Sequence, residues 1–190
     1  MNSATDKSLL RRQLKDQGQA ISIDDLAASS LSACARMLAT PWFTGAHVIM
    51  LYAPIERELD VTLLAKECER TGRRVVAPRA NWEDKSLEPA MVHRWESDWE
   101  IGRYGIRQPK ADAQPMLPGE IDLIVVPGLA FDRNRMRLGR GAGLYDRFLA
   151  RADVRGAKIG IGFDWQLLSA LPANDHDQRL DAVVVESEVV

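Results

Sequence analysis

Cysteine and histidine are scarce in this chain of 190 residues, which holds two of the former and three of the latter. Cys34 and Cys68 lack metal-ligand spacing and the histidines are scattered, so no zinc ligand set can be assembled. Both cysteines lie in helix-like segments and read as buried thiols of a reducing compartment. No Ser-His-Asp or Cys-His arrangement can be argued either. Long apolar runs are missing: none approaches the ~18 residues needed to span a bilayer. The polar start has no secretory apolar core. A cytoplasmic protein without a membrane partner is therefore expected. Charge of one sign is also lacking. With net charge −2 and an isoelectric point near 6.0, a broadly basic nucleic-acid-binding surface is disfavoured. There is no internal repeat, no low-complexity tract and no interdomain linker, so residues 1–190 are expected to form one domain.

What is present is concentrated between residues 125 and 147. Gly139, Gly141 and Gly143 alternate with Arg140 and Ala142, follow Arg137-Leu138, and run into Leu144-Tyr145-Asp146-Arg147. Glycine lets successive backbone N–H groups turn toward one point and a bulky anion come close. Arginine adds planar forks that match phosphate oxygens. Between Phe131 and Arg151 stand six arginines against two aspartates, a local excess that points to a phosphate-bearing ligand. No Gly-Lys-Ser/Thr follows, so this is not a Walker loop. The preceding strand ends near Val126, too far upstream for a dinucleotide fingerprint. The glycines therefore read as a phosphate cradle of another design, or as a flexible loop among solvated charges.

Elsewhere the apolar pattern predicts helices over 5–20, from Ser22 or Asp24 to Ala39, over 60–71 with Gly72 as its stop, near 143–152 and near 165–170. In the second helix Leu26, Leu31, Ala35 and Leu38 are expected to face inward. Strands are predicted from His47 to Ala53, Arg73 to Ala77, Met91 to Trp95, Ile121 to Val126, Lys158 to Phe163 and Ala182 to Val185. Prolines close the first two. The stretch from Asn81 to Pro118 reads mostly as a long connection able to cover a site. Strands alternating with helices predict a mostly parallel sheet with helices on both faces.

Three further features carry potential chemistry. Lys7 and Arg11 stand four apart and share a helix face. Glu58 and Asp60 follow a strand, where ligands of parallel sheets bind. Asp175, His176 and Asp177 form a polar cluster, and carboxylates such as Asp146 and Asp177 suit Mg²⁺, which takes few protein ligands and keeps waters and phosphates.

Taken in order, these pieces resemble the 5-formyltetrahydrofolate cyclo-ligase family. The resemblance is carried by Lys7-Ser-Leu-Leu-Arg11, Glu58-Leu-Asp60, Tyr104-Gly-Ile-Arg-Gln-Pro109, Pro127-Gly-Leu-Ala-Phe-Asp132, Arg137-Leu-Gly-Arg-Gly-Ala-Gly-Leu-Tyr-Asp146, Gln166, Pro172 and His176-Asp177. It implies a three-layer αβα, Rossmann-like fold and a monomer. The implied reaction is ATP- and Mg²⁺-dependent closure of 5-formyltetrahydrofolate to 5,10-methenyltetrahydrofolate, through a phosphorylated formyl group, with ADP and phosphate released. By the same resemblance Lys7, Arg11, Arg137, Leu138, Gly139, Arg140, Gly141, Ala142, Gly143, Leu144 and Tyr145 would hold ATP. Ala53, Glu58, Met91, Tyr104, Arg140, Gly141, Ala142, Gly143 and Leu144 would meet the folate. Arg140 and Glu58 would be catalytic, and Asp146 and Asp177 would bind Mg²⁺.

The chain departs from the family pattern at Ala142, Leu144, Gln108, Asn174 and Val185, none of which removes a cation or a metal carboxylate. The alternatives are a same-fold nucleotide- or folate-binding relative without this reaction, and a small nucleic-acid-binding module.

Overall fold

The computed structural model describes residues 3–172, 174 and 176–190, with side chains from residue 6 onward. In chain order the elements are α1 (Ser3–Ala20), α2 (Ile23–Leu38), α3 (Pro41–Thr44), β1 (Val48–Met50), α4 (Thr62–Thr71), β2 (Arg74–Asn81) and β3 (Ser86–Val92). They continue with β4 (Trp99–Ile101), β5 (Arg107–Pro109), β6 (Leu123–Val126), β7 (Ala130–Asp132), β8 (Arg137–Leu138), α5 (Leu144–Leu149), β9 (Ala157–Ile161), β10 (Leu167–Leu168) and β11 (Ala182–Val184).

Six strands form the central sheet in the order β11-β9-β6-β1-β2-β3, parallel except for β3. Strand side chains alternate between faces, and here both faces are apolar. Ile49, Leu123, Val125 and Ile159 enter the core with α2 and α4, whereas Val48, Met50, Ile124 and Val126 pack with Phe148 and Leu149 of α5. Near-continuous apolar runs are what a doubly covered parallel sheet requires. The order also reverses at β1: the chain moves out to β2 and β3, then returns to β6 and proceeds to β9 and β11. A crevice opens outside the carboxyl ends of strands at such a switch, and the chain leaving β1 and β6 enters it.

Several expectations shift in detail. The buried stripe of α2 is Leu26, Ser30, Ala33, Cys34 and Met37, whereas Leu31 is 58% exposed. Leu31 sits five residues after Leu26, which rotates it off the 3.6-residue face. Ser22 is the cap, accepting the Asp25 N–H at 3.0 Å. Both thiols are buried, and burial pushes each up to about 12, so they are inert thiols. Strand β2 does not stop at Pro78. Pro78 faces Pro89 in the antiparallel register with β3, and opposed prolines fit only a non-hydrogen-bonded pair. The strand expected at 91–95 lies earlier, over β3, and the supposed long connection contains the β4–β5 hairpin. The segment near 165–170 is a single 3₁₀ turn (Asp164–Gln166) followed by β10.

A smaller sheet, β10-β7-β8, ties the switch crevice to the carboxyl-terminal loop. Phe131 of β7 lies against Gly160, where an added Cβ would stand 2.6 Å from the ring. The neighbouring Asp132 is buried, and its carboxylate accepts N–H groups of Asn134, Met136 and Leu171, each at 2.9 Å. Asp132→Ala would leave three donors unmet. A loss of about 2–4 kcal/mol in urea unfolding is expected; a loss below about 1 kcal/mol would show that water replaces the carboxylate.

Candidate active site

The glycine loop links β8 to α5, and its shape depends on backbone conformations closed to other residues. Gly141 has φ +110° and Gly143 φ +69°, in the left-handed region where a Cβ is strained. Three guanidinium groups brace the loop and its base. Arg11 Nε donates to the Gly139 carbonyl at 2.9 Å, Arg147 Nη2 to that of Ala142 at 2.6 Å, and Arg137 Nη1 to that of Pro127 at 3.2 Å. Loop carbonyls satisfied by arginine leave the loop's amides available for an anion.

Arg137 is 7% exposed; its Nη2 donates to Asp146 Oδ1 at 2.8 Å and its guanidinium lies 5.5 Å from the Tyr145 ring centre. Arg137 Nε and the Tyr145 hydroxyl are buried with no hydrogen-bond partner. Orphaned polar atoms of this kind are costly unless a ligand or water meets them. Burial, and next the negative charge of Glu58, push the Tyr145 phenol above its ordinary range. It therefore stays protonated and presents an O–H donor.

Two cavities lie on either side of this loop. One, of about 190 Å³, is mainly apolar; the other, of about 520 Å³, is lined by charged and polar groups. Arg137, Gly139, Gly141, Gly143 and Asp146 border both, so a few residues of backbone separate them. On the apolar side Glu58 Oε1 accepts from Arg140 Nε at 2.9 Å, and Oε2 from the Ile55 N–H at 3.2 Å. Buried Tyr52 shapes the same β1 loop by donating to the Leu59 carbonyl at 2.8 Å. On the polar side Lys7 of α1 pairs with Asp177, whose carboxylate also accepts the Asn174 N–H at 2.6 Å.

The expected residues mostly converge. Ala53, Glu58, Arg140, Ala142, Leu144 and Tyr145 line the apolar cavity, with Gly141 and Gly143. Lys7, Arg11, Leu138 and Asp177 line the polar one. Met91 does not join them: it is buried among Val76, Phe148 and their neighbours, because β3 carries it into the sheet core. Tyr104 stands 71% exposed at φ +62°, with its ring edge-on to Trp82 at 5.0 Å; it does not line the cavity itself but touches Trp82 and Arg103, which do. Asp175 lies outside the described residues.

Among the described residues no three His, Cys, Asp or Glu side chains form a metal-holding group. Asp146 and Asp177 nevertheless border one cavity with one oxygen each committed to a cation, a donor set that fits Mg²⁺ sharing its shell with phosphate and water.

Sequence reasoning passed over Tyr52, Trp82, Arg103, Ile106 and Arg107 on the apolar wall and Arg147 on the polar one. Tyr52 was findable, since it ends the run before Ala53. Ile106 and Arg107 stand in the Tyr104–Pro109 motif but were given no role there, and Arg103 carries no local signal; the pairing of β4 with β5 is what brings the three to the cavity.

A family model described as the 5-formyltetrahydrofolate cyclo-ligase family matches residues 3–186. The chain belongs to this family. Family members are ring-forming ligases, and this protein is accordingly an enzyme of that class. The chain is 26% identical to the 5-formyltetrahydrofolate cyclo-ligase of Mus musculus, over 98% of this chain and 95% of that protein. It is 29% identical to the cyclo-ligase of Escherichia coli, over 93% and 98%. The solution structure of Aquifex aeolicus 5,10-methenyltetrahydrofolate synthetase superposes with a TM-score of 0.84 at 31% identity, covering 96% of this chain and 91% of that one. The fold expected from the strand–helix alternation is thus that of the cyclo-ligases. No helix of the described residues is long and apolar enough to cross a membrane.

Gly141→Ala forces a side chain into φ +110°. It should cost about 1–3 kcal/mol of stability, read by thermal or urea unfolding. No measurable loss would mean that the loop adopts another conformation in solution.

Proposed function

We propose that this enzyme closes 5-formyltetrahydrofolate to 5,10-methenyltetrahydrofolate at the expense of ATP, with Mg²⁺ as the metal. The observation that carries this reading is the shared wall: one glycine–arginine loop bordering both an apolar and a cation-lined cavity. The reduced pterin fits the apolar side, where Glu58 offers a carboxylate to ring N–H groups and Tyr145 offers a buried O–H. The triphosphate fits the polar side, against Lys7, Arg11, Arg137 and the loop amides. Mg²⁺, bound by Asp146 and Asp177, would supply charge neutralisation on the phosphate oxygens.

In this reading the formyl oxygen attacks the terminal phosphorus and ADP leaves. N10 then attacks the formyl carbon, loses its proton, and the C–O bond breaks to release phosphate. A formyl oxygen is a poor leaving group until phosphorylated, which is why ATP is consumed. The chain's own part is to hold both reactants against one thin wall and to neutralise charge moving between them. Arg140 is half exposed and paired with Glu58. Arrival of the pterin at Glu58 would release its guanidinium toward the transferred phosphoryl group.

Purified protein with 5-formyltetrahydrofolate and Mg-ATP should yield the methenyl product and ADP in equal amounts. Arg140→Ala should slow turnover at least about tenfold, or 1.4 kcal/mol of barrier, without unfolding the protein. Absence of methenyl product from the wild-type protein would defeat the reading, and an unchanged rate in the variant would remove Arg140 from the site.

A further inference from the structure

Glu58 reaches the apolar cavity from a tight turn in the loop that follows β1. The Glu58 N–H donates to the Ile55 carbonyl at 3.0 Å, and the Ile55 N–H donates to Glu58 Oε2 at 3.2 Å. Arg57 occupies the third position of this turn with φ +62°. Turns that need a positive φ there take glycine or asparagine, since a Cβ is strained in the left-handed region. A long side chain held at such a position points to a task for that side chain.

Arg57 does not line the cavity. It reaches instead to the carboxyl end of α1, where Nη1 donates to the Gly18 carbonyl at 2.7 Å and to the Ile21 carbonyl at 2.9 Å. The last turn of α1 has no basic residue of its own, so the guanidinium from the β1 loop supplies the cation that the open carbonyls of a helix end favour. That helix end is itself fixed: a Cβ on Gly18 would stand 3.2 Å from the ring of Trp165. Arg57 Nε is buried without a partner, a desolvation cost that the two Nη1 bonds must offset.

The other ties of the loop lie downstream of the turn. Tyr52 holds the Leu59 carbonyl, and Ser30 Oγ accepts the Asp60 N–H at 3.1 Å. Within residues 55–58, hydrogen bonds to other elements come from Arg57 and Arg140 alone among the described residues. The Arg140 bond is the one that opens when the pterin takes Glu58. From that moment the clamp on α1 is what holds the turn, and with it the carboxylate, against the scaffold.

We infer that Arg57 is a positioning residue for the pterin site: its clamp on the carboxyl end of α1 sets where the Glu58 carboxylate stands. This deepens the reading under Proposed function and rests on it. Lys7 and Arg11, nearer the other end of α1, have their own anchors in Asp177 and the Gly139 carbonyl. Loss of the clamp therefore weakens folate binding and spares nucleotide binding.

Calorimetric titration of the intact protein with 5-formyltetrahydrofolate, and separately with a non-hydrolysable ATP analogue and Mg²⁺, reads both sites without turnover. Arg57→Met keeps the stem and the backbone strain but removes the donors. It should weaken folate binding about fivefold or more and leave analogue binding within about twofold. Arg57→Lys, whose ammonium can serve both carbonyls, should bind folate nearly as wild type does. Should the methionine variant fail to fold, Arg57→Gly replaces it, because φ +62° suits glycine. In a Glu58→Gln background, removal of the donors should have no further effect, since Arg57 acts through Glu58. Unchanged folate affinity in the methionine variant would overturn the positioning role. Equal weakening of both ligands would overturn it too, by assigning the effect to a loosened α1. So would a full further loss in the Glu58→Gln background, or a lysine variant as impaired as methionine. Wild-type protein that binds no folate would defeat the folate reading itself, and the positioning role with it.

Discussion

The backbone between Gly139 and Gly143 must run thin and in a left-handed conformation, and much of the site follows from that constraint. A loop of ordinary residues would put side chains where the two cavities meet. Glycine at 141 and 143 avoids this, but it costs conformational entropy, and a loop so free needs external restraint. The restraint comes from Arg11, Arg137 and Arg147, which hold carbonyls at and beside the loop from three different parts of the chain. Arginine is suited to the task because one guanidinium reaches several acceptors in fixed geometry. The same residues that appear as phosphate forks in the sequence are, before any ligand arrives, the scaffold of the wall.

The surrounding charges are arranged in pairs of unequal burial. Arg137–Asp146 and Lys7–Asp177 are largely withdrawn from water, whereas Arg140–Glu58 has a half-exposed partner. A buried pair is costly to break because one charge is left unmatched. An exposed pair contributes little and exchanges partners readily. The first two pairs accordingly read as fixed parts of the polar cavity, and the third as the one that changes when substrates enter. Asp132 extends the same logic to the scaffold, where one carboxylate joins the β7–β8 hairpin to the segment leading to Asp177.

Much of this was legible in the chain itself. The parallel sheet showed in the apolar runs at 47–53 and 121–126, and the left-handed loop showed in its alternating glycines. What escaped depends on contacts distant in sequence. Leu31 reads as core by type, yet its position on the helix turns it to solvent. Met91 fits a ring-packing role by type, yet β3 buries it. Pro78 reads as a stop, yet an opposing proline makes the position harmless. Arg103 and Arg107 look like ordinary surface charge until the β4–β5 pairing brings them to the cavity. Periodicity reports local faces, and no local signal encodes which hairpin folds over which crevice.

The central claim is that the wall between the two cavities is where phosphoryl passes to the formyl oxygen. Its most direct measurement follows that oxygen: 5-formyltetrahydrofolate labelled with oxygen-18 in the formyl group is turned over with unlabelled ATP, and the inorganic phosphate is analysed by mass. The account predicts one labelled oxygen in each phosphate released. Label recovered in water, with unlabelled phosphate, would contradict it.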